Sequence, residues 1–293
     1  MSTAIIINPI SGGVGPEQGR QRAELATAIV ASHGDPADVF LTERRGHARE
    51  LAKAALLRGA RLVLAWGGDG TINEVASALA FQEVPLGIVP AGSGNGLARE
   101  LGVALRAEQA IAEALQAKPK PMDVGELNDR LFVNVAGIGF DAYVASEFDK
   151  PGHRRGFLGY ISIGLGAIGT YEPEQYAITV GDQRIDARAI LVTIANSAQF
   201  GNGARIAPAA RVDDGRLDLV IIQERSRWRS VLQLPKIFSG KAEQIPGCSI
   251  RQIERATIEC ERSMIFHVDG EPVDGGTRIR VRVHPGALRV AVK

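Results

Sequence analysis

The chain has 293 residues, of which 45% are hydrophobic and 23% charged, and its formal net charge at pH 7 is +1. This length accommodates two domains with separate cores, and the balanced charge gives no reason to expect nucleic acid as a partner. No apolar run is long enough to span a bilayer, and the first residues lack the basic start and long apolar core of a secretion signal. We therefore expect a globular protein of the cytoplasm.

The first part of the chain alternates strand-length apolar runs with amphipathic segments. Its predicted strands are Ala4–Ile7, Val39–Leu41, Arg61–Trp66 and Pro85–Val89. Each strand leads through a turn into a predicted helix. Four such units in succession predict an α/β domain with a mostly parallel sheet and helices on both faces.

The stretch Gly67–Val75 (GGDGTINEV) lies where the third strand turns into a helix. Its glycines allow backbone N–H groups to approach a ligand, and the N-terminus of the helix favours negative charge, so the pattern predicts phosphate binding. Asp69 cannot itself attract phosphate and implies either a bound cation or a proton to be accepted. The simpler alternative is a tight turn in which Asp69 caps the helix.

Polar, glycine-rich turns also follow the first strand, at Asn8–Gly13, and the fourth strand, at Gly92–Asn95. In an open parallel sheet such strand ends lie side by side, so the three turns are predicted to converge on one ligand. A dehydrogenase is disfavoured because Leu97 occupies the place of the third fingerprint glycine. A P-loop enzyme is disfavoured because the sequence contains no GxxxxGK[ST] segment.

Lys118–Pro121 interrupts the pattern, and we place the domain boundary there, with domains at 1–121 and 122–287. Beyond it the apolar runs are short and several alternate, as in Arg278–Val283. Alternation is typical of antiparallel strands with one wet face, and it predicts an all-β sandwich. His267, which precedes Asp269 by two positions, is interpreted as a packed strand residue.

Two segments interrupt this β pattern, 153–171 and 225–241. Each is basic and then apolar and aromatic, with Phe157 and Trp228 among the aromatic residues. We predict that both are helical. They either pack on the sandwich or lie at a membrane surface, with basic residues toward anionic headgroups.

Six short motifs occur in order along the chain. They are Asn8-Pro9-x-Ser11-Gly12, Gly67-Gly68-Asp69-Gly70-Thr71-x-Asn73-Glu74, Pro90-x-Gly92-Ser93-Gly94-Asn95, Gly201-Asn202-Gly203 followed by Ala207-Pro208, Asp213-Asp214-Gly215, and Asp269-Gly270-Glu271. With these motifs the chain resembles the diacylglycerol kinase catalytic-domain family, which includes bacterial soluble lipid kinases and sphingosine kinases. The resemblance covers essentially the whole length. It implies a Rossmann-like nucleotide-binding domain, a β-sandwich lipid domain, an interdomain cleft for the nucleotide, and a return of residues 288–293 to the first domain.

The resemblance implies ATP-dependent phosphorylation of a lipid hydroxyl, with Mg²⁺ as cofactor. The two basic and aromatic segments add the expectation of transient contact with the inner face of the membrane. The acceptor would be a lipid such as diacylglycerol or a long-chain base. Many bacterial diacylglycerol kinases have an acidic residue at the position of Gly96. The glycine found here is more similar to the sphingosine-kinase pattern. A catalytically silent nucleotide- or lipid-sensing protein and a kinase for a soluble small molecule are the alternatives. The sequence does not decide whether the protein forms a homodimer.

The resemblance also assigns residues to the nucleotide. They are Asn8, Pro9, Ser11, Gly12, Thr42, Gly67, Gly68, Asp69, Gly70, Thr71, Asn73, Glu74, Gly92, Ser93 and Asn95. Hydroxyls, amides and glycine N–H groups suit phosphate oxygens without a lysine-bearing loop.

Two acidic turns of the second domain complete the assignment. By resemblance, Asp214 and the main-chain carbonyls of Arg211 and Arg216 would bind a cation, although Asp-Asp-Gly is also a hairpin-turn signal. Phosphoryl transfer needs a group that receives the proton of the acceptor hydroxyl. Asp269, Glu271 and Asp69 are the candidates. We assign Asp269 as base, Glu271 as its close support, and Asp69 as organiser of the phosphates or Mg²⁺.

Overall fold

A computed structural model of the chain describes residues 2–13, 15, 17–150, 162–164, 166–167, 170–201, 203–224, 236–237 and 239–293. The chain divides into two compact units. The first comprises Met1–Met122 with Gly286–Lys293, and the second comprises Asp123–Pro285.

The first unit is an α/β unit. Its strands are β1 (Thr3–Ile7), β2 (Ala37–Leu41), β3 (Leu62–Gly67) and β4 (Leu86–Pro90), and its helices are α1 (Glu17–Ser32), α2 (His47–Leu57), α3 (Asp69–Leu79), α4 (Gly96–Glu100) and α5 (Ala107–Gln116). The strands pair in parallel in the order β4-β3-β1-β2. Every residue of β1, β3 and β4 is buried, as expected for parallel strands covered on both faces.

The register of these strands brings their carboxyl ends to one edge of the sheet. Ile7, at the end of β1, pairs with Leu41 of β2 and Trp66 of β3, and Gly67 pairs with Pro90 of β4. The chain therefore leaves β1, β3 and β4 side by side. This register places three turns that are far apart in sequence at one location.

The second unit is built almost entirely of antiparallel strands. Its elements are β5 (Lys120–Leu127), β6 (Arg130–Phe132), β7 (Val135–Gly139), α6 (Phe140–Asp149), β8 (Glu174–Val180), β9 (Gln183–Ala195), β10 (Gln199–Gly201), β11 (Ala204–Arg205), β12 (Leu217–Gln223), β13 (Cys248–Ile253), β14 (Arg255–Val268) and β15 (Glu271–Val290). The strands β5 and β15 also extend into the first unit. Within the second unit the strand order is β13-β12-β9-β7-β14-β15.

Two long strands fold this sheet over a core. Gln183–Ala189 of β9 pairs with β8, whereas Val135–Gly139 of β7 pairs with the remainder of β9. In β14, Thr257–Cys260 pairs with β8 and Phe266–Val268 with β7. Strands that pass from one layer to the other in this way are typical of packed β-sheets. The enclosed core includes the fully buried rings of Phe132, Tyr176 and Phe266.

The alternation in Arg278–Val283 is confirmed, because Ile279 and Val281 are buried and Arg278, Arg280 and Arg282 are exposed. The helix α6 was not predicted from the sequence. It begins at Phe140, directly after a strand, and has no turn signal of its own except Gly139 at φ 87°.

The predicted interfacial segments 153–171 and 225–241 lie largely outside the described residues, and Phe157 and Trp228 both fall there. In the part of the chain that is described, every helix is too short or too polar to cross a bilayer.

Candidate active site

Three bends, after β1, β3 and β4, meet at one edge of the first unit's sheet. Asn8 Nδ2 donates a hydrogen bond of 3.1 Å to Thr71 Oγ1. The Ala91 N–H donates one of 2.8 Å to the Gly67 carbonyl. A Cβ atom on Gly12 would lie 3.0 Å from the Ala91 carbonyl oxygen, so the first bend also touches the third. The three turns therefore lie together, as predicted, and their binding of one ligand stays a prediction.

The second and third bends touch through their backbones. A Cβ on Gly92 would lie 2.7 Å from Gly68 Cα, a separation that real Cβ atoms do not adopt. Gly67 is restricted in a similar way, since its Cβ would lie 2.6 Å from Thr71 Oγ1. Gly70 is exposed and a Cβ there would meet nothing within 4 Å. The glycines therefore differ: Gly92 allows two backbones to pack closely and Gly67 leaves space for the Thr71 side chain, whereas a side chain at Gly70 would meet open space.

Asp69 is the first residue of α3, and it does not cap that helix. Gly68 occupies the N-cap position and makes no side-chain capping bond. Asp69 Oδ1 instead accepts a hydrogen bond of 2.8 Å from the Gly96 N–H in the third bend. The neighbouring Asn95, at φ 48°, accepts one of 2.8 Å from the Gly92 N–H. Asp69 thus fixes the third bend against the second, and Asn95 stabilises the third bend internally.

Arg22 of α1 holds the first bend, and the sequence did not identify it. Its guanidinium donates to the Asn8 carbonyl at 3.0 Å, the Ser11 hydroxyl at 2.8 Å and the Ser11 carbonyl at 3.0 Å. It also lies 5.7 Å from the centroid of the Trp66 ring. Burial lowers the pKa of Arg22 from its ordinary value. No local motif marks this residue, because its partners lie on a different element.

The other residues assigned to the nucleotide lie around these bends. The Thr42 N–H donates to the Ile7 carbonyl at 2.9 Å, and Ser93 is exposed. Asn73 is buried in α3, and Pro9 packs against α1. Glu74 has a structural partner: its two carboxylate oxygens accept bonds of 2.8 and 3.0 Å from backbone N–H groups at the start of α2.

In the second unit, Asp269 and Gly270 form the two-residue turn between β14 and β15. Their φ angles are 48° and 86°, as a type I′ hairpin turn requires, and Asp-Gly is a sequence signal for that turn. The Asp269 carboxylate accepts three backbone hydrogen bonds of 2.9 Å, on Oδ2 from Val133 and on Oδ1 from Asn134 and Val135. These donors stabilise the ionised carboxylate and hold the turn against the connection between β6 and β7.

His267 and Asp141 form a buried pair next to this turn. His267 Nε2 and Asp141 Oδ2 are 2.7 Å apart, and the Gly270 N–H donates to His267 Nδ1 at 3.2 Å. Burial lowers the pKa of His267, whereas the charge of Asp141 and its hydrogen bond raise it by more, and the net direction is upward. The Gly270 N–H opposes this rise because it occupies the only nitrogen that a second proton could take.

Glu271 follows the turn as the first residue of β15 and is half-buried. Within the described part of the chain its carboxylate has no hydrogen-bond or ion-pair partner. The two acids of the Asp-Gly-Glu motif therefore differ: Asp269 is held by three N–H groups, whereas no described residue bonds to the Glu271 carboxylate.

The predicted cation turn places Asp214 at the surface. Its Oδ1 accepts from the Arg216 N–H at 3.0 Å and its Oδ2 from Gln252 Nε2 at 3.1 Å. Asp123 accepts a 2.6 Å hydrogen bond from the N–H of Gly215 in the same turn. Burial, and then the charge of Asp214, raises the pKa of the buried Asp218 to about 6.

This turn fits a hard cation only with additional oxygen donors. Among the described residues no three acidic, histidine or cysteine side chains are grouped to hold a metal. One carboxylate, the predicted main-chain carbonyls of Arg211 and Arg216, and water would together suit Mg²⁺, which retains several water ligands in proteins.

Two family descriptions match the chain. Residues 2–127 match "Diacylglycerol kinase catalytic domain", and residues 134–292 match "YegS C-terminal NAD kinase beta sandwich-like domain". The two-domain organisation, with a β-sandwich-like second domain, is therefore established.

Proteins with similar sequences and structures support the same family assignment. The chain is 32% identical to "Probable lipid kinase YegS-like" of Chromohalobacter salexigens over 271 residues, covering 91% of this chain and 87% of that protein. A protein of the same description from Pseudomonas aeruginosa is 31% identical over 280 residues, covering 94% and 91%. A crystal structure described as a diacylglycerol kinase from Bacillus anthracis str. Sterne is 20% identical, covers 100% of this chain and 97% of its own, and has a TM-score of 0.74. The fold is thus that of a diacylglycerol kinase, and the chain belongs to the diacylglycerol kinase catalytic-domain family, among kinases of the YegS-like type.

Proposed function

We propose that this protein transfers the γ-phosphate of ATP to a hydroxyl group of a lipid such as diacylglycerol or a long-chain base. The observation that carries the proposal is the convergence of the three bends, in which Asn8 bonds to Thr71 and Gly68 packs on Gly92. A site with close-packed glycine backbone, amide and hydroxyl groups at a helix N-terminus suits a polyphosphate.

The first unit would bind the nucleotide through these bends. Asn8, Thr71 and Asn95 already form hydrogen bonds across or within the bends, which reduces the ordering that binding would require. Arg22 would add positive charge next to the first bend while holding its backbone in place. Glu74 would contribute through the start of α2, to which both of its oxygens are bonded.

Glu271 would accept the proton of the acceptor hydroxyl. As the hydroxyl oxygen forms its bond to the γ-phosphorus, the proton passes to the carboxylate, and the bond from the γ-phosphorus to the β,γ-bridging oxygen breaks to release ADP. The carboxylate of Glu271, which has no partner among the described residues, suits this role better than Asp269, whose oxygens already accept three N–H bonds. Asp269 would hold the turn, and Asp69 would organise the phosphates.

Magnesium would offset the negative charge of the phosphates when it is bound. Asp214, with the main-chain carbonyls of Arg211 and Arg216, would hold a cation at the Asp213–Gly215 turn. Asp69 lies in the second bend, and its carboxylate would help to hold a cation that accompanies the nucleotide.

The choice between diacylglycerol and a long-chain base bears on Gly96. Its N–H donates to Asp69 Oδ1. An acidic side chain at this position would add a second negative charge next to Asp69. With glycine at position 96, this protein has no such charge. The sphingosine-kinase-like glycine favours long-chain bases as a substrate class worth direct comparison with diacylglycerol.

A lipid-phosphorylation assay tests the proposal. The purified protein would be incubated with γ-³²P-labelled ATP and one of three acceptors: dioleoylglycerol in mixed micelles, sphingosine in mixed micelles, or soluble glycerol. Each reaction would be run with Mg²⁺ and with EDTA. We expect labelled lipid only with Mg²⁺. Glu271→Gln should reduce the rate by about 100-fold or more while ATP binding, measured by calorimetry, is retained.

Two outcomes would contradict the proposal. Tight ATP binding without any labelled lipid across the acceptor panel would favour the silent sensing protein. Phosphorylation of glycerol at the same rate with and without micelles would favour a kinase for a soluble small molecule.

A further inference from the structure

The Asp141–His267 pair lies next to the turn that precedes Glu271, and the proposed reaction does not use it. Only 2% of His267 and 7% of Asp141 is exposed to solvent. Burying a carboxylate is costly unless its hydrogen bonds are satisfied. A pair that joins α6 to β14 across 126 positions of sequence therefore calls for a physical role.

The hydrogen bonds assign the proton of the imidazole. The Gly270 N–H donates to Nδ1, so Nδ1 carries a lone pair and no proton. The ring proton is then on Nε2, from which it is donated to Asp141 Oδ2 at 2.7 Å. A carboxylate that accepts from one ring nitrogen favours this tautomer and leaves the other nitrogen as an acceptor.

The surrounding backbone leaves space for this pair. A Cβ on Gly137 of β7 would overlap Asp141 Oδ2 and lie 2.6 Å from His267 Nε2. Gly137 pairs directly with His267 in the sheet, so only glycine at this position admits the hydrogen bond. Asp141 comes from the first turn of α6, where negative charge is favoured.

Gly270 can be held in the turn only through its backbone, because it has no side chain. The Asp269 side chain is held by three N–H groups, but Gly270 has no side chain and lies at φ 86°. A glycine in such a turn can change the orientation of its peptide plane at little cost. The bond to His267 Nδ1 fixes the peptide plane between Asp269 and Gly270, one residue before Glu271.

We propose that Asp141 and His267 are positioning residues for Glu271: Asp141 selects the imidazole tautomer, and the imidazole holds the Gly270 amide where β15 begins. This inference rests on the proposed function, in which Glu271 accepts the proton. A displacement of about 1 Å at a reacting group can reduce a rate by about 100-fold, so an otherwise small change in this turn would affect catalysis.

Two substitutions of His267 distinguish the roles of the two ring nitrogens, because each variant keeps one of the two hydrogen bonds. Asn places its Oδ1 near the position of Nδ1 and can still accept from Gly270, whereas Gln places a donor near the position of Nε2 and can still reach Asp141. We expect kcat of His267→Asn to stay within about threefold of wild type and kcat of His267→Gln to fall by about 10- to 100-fold. KM for ATP should stay unchanged in both variants.

His284→Gln is the matched control. His284 also pairs with a carboxylate through Nε2, at 2.7 Å from Glu126 Oε2, but away from the Asp269–Gly270 turn. We expect its kcat to equal that of wild type. If the two His267 variants lose equal activity in proportion to a loss of thermal stability, the pair is only structural and the proposal is overturned.

Nuclear magnetic resonance of the wild-type protein tests the same proposal without kinetics. The ¹⁵N shifts of His267 should report an unprotonated Nδ1 and a protonated Nε2, and the Gly270 amide should exchange with solvent faster in His267→Gln than in wild type. A protonated Nδ1, or equal exchange, would overturn the proposal. These measurements keep their meaning if wild type makes no labelled lipid, an outcome that would remove only the proposed function.

Discussion

The bends of the first unit and the Asp269–Gly270 turn of the second are held by different means. In the first unit, parallel strands end side by side, and glycine backbones pack against each other, as Gly68 does on Gly92. In the second unit, one hairpin turn is held by side chains, with the Asp269 carboxylate under three N–H groups and His267 on the Gly270 amide. Sheet register brings the bends of the first unit together, and side chains such as Arg22 and Asp69 add to it, whereas the turn of the second unit depends on individual polar partners.

The largest effect on the free energy of unfolding is expected at Asp269, in contrast to Glu271 of the same motif. Asp269→Asn should lower the free energy of unfolding by about 2–4 kcal/mol, because an amide NH₂ would face a backbone N–H and the charge would be lost. Glu271→Gln should change it by less than about 0.5 kcal/mol. Equilibrium urea unfolding measures both. Equal stability of the two variants would show that Asp269 does not hold the turn.

The first unit should be most sensitive to added backbone volume. Gly92→Ala should cost about 1–3 kcal/mol of unfolding free energy and weaken ATP binding, because its Cβ would lie 2.7 Å from Gly68 Cα. Gly70→Ala is the control for stability, since a Cβ there meets nothing within 4 Å. Thermal unfolding and calorimetric titration with ATP would check this. A fully stable Gly92→Ala protein would contradict the close packing of the bends.

Arg22 tests whether the first bend also depends on a side chain. Arg22→Ala should raise KM for ATP about tenfold, equivalent to about 1.4 kcal/mol, because the Asn8 and Ser11 carbonyls lose their donor. Arg22→Lys should recover little, since a single ammonium cannot reproduce the forked guanidinium contacts. Steady-state kinetics with Arg20→Ala, an exposed residue of the same helix, as the control would measure this. An unchanged KM in Arg22→Ala would show that backbone packing suffices.

The smallest expected effect concerns Glu74. Glu74→Gln should lower the free energy of unfolding by about 1 kcal/mol, because the carboxylate that accepts two N–H bonds at the start of α2 loses its charge. Urea unfolding would detect this loss, and kinetics would report any change in KM for ATP. A raised KM with unchanged stability would instead indicate direct contact with the nucleotide.

The local sequence was sufficient for elements whose signal is contiguous. The apolar runs of β1, β3 and β4 and the glycine turns after them were predictable because a strand buried on both faces reads as an unbroken apolar run. The alternation of Arg278–Val283 likewise predicted a strand with one exposed face. The helix α6 gave no comparable pattern and was missed.

The order of residues places the polar turns along the chain and provides the Asp-Gly signal at Asp269. The partners of those turns were decided only by tertiary structure. Arg22 reaches Ser11 from another element, Asp269 reaches N–H groups more than 130 positions away, and His267 reaches Asp141 across 126. The physical reason is that such contacts follow from strand register and helix packing, which no local periodicity records.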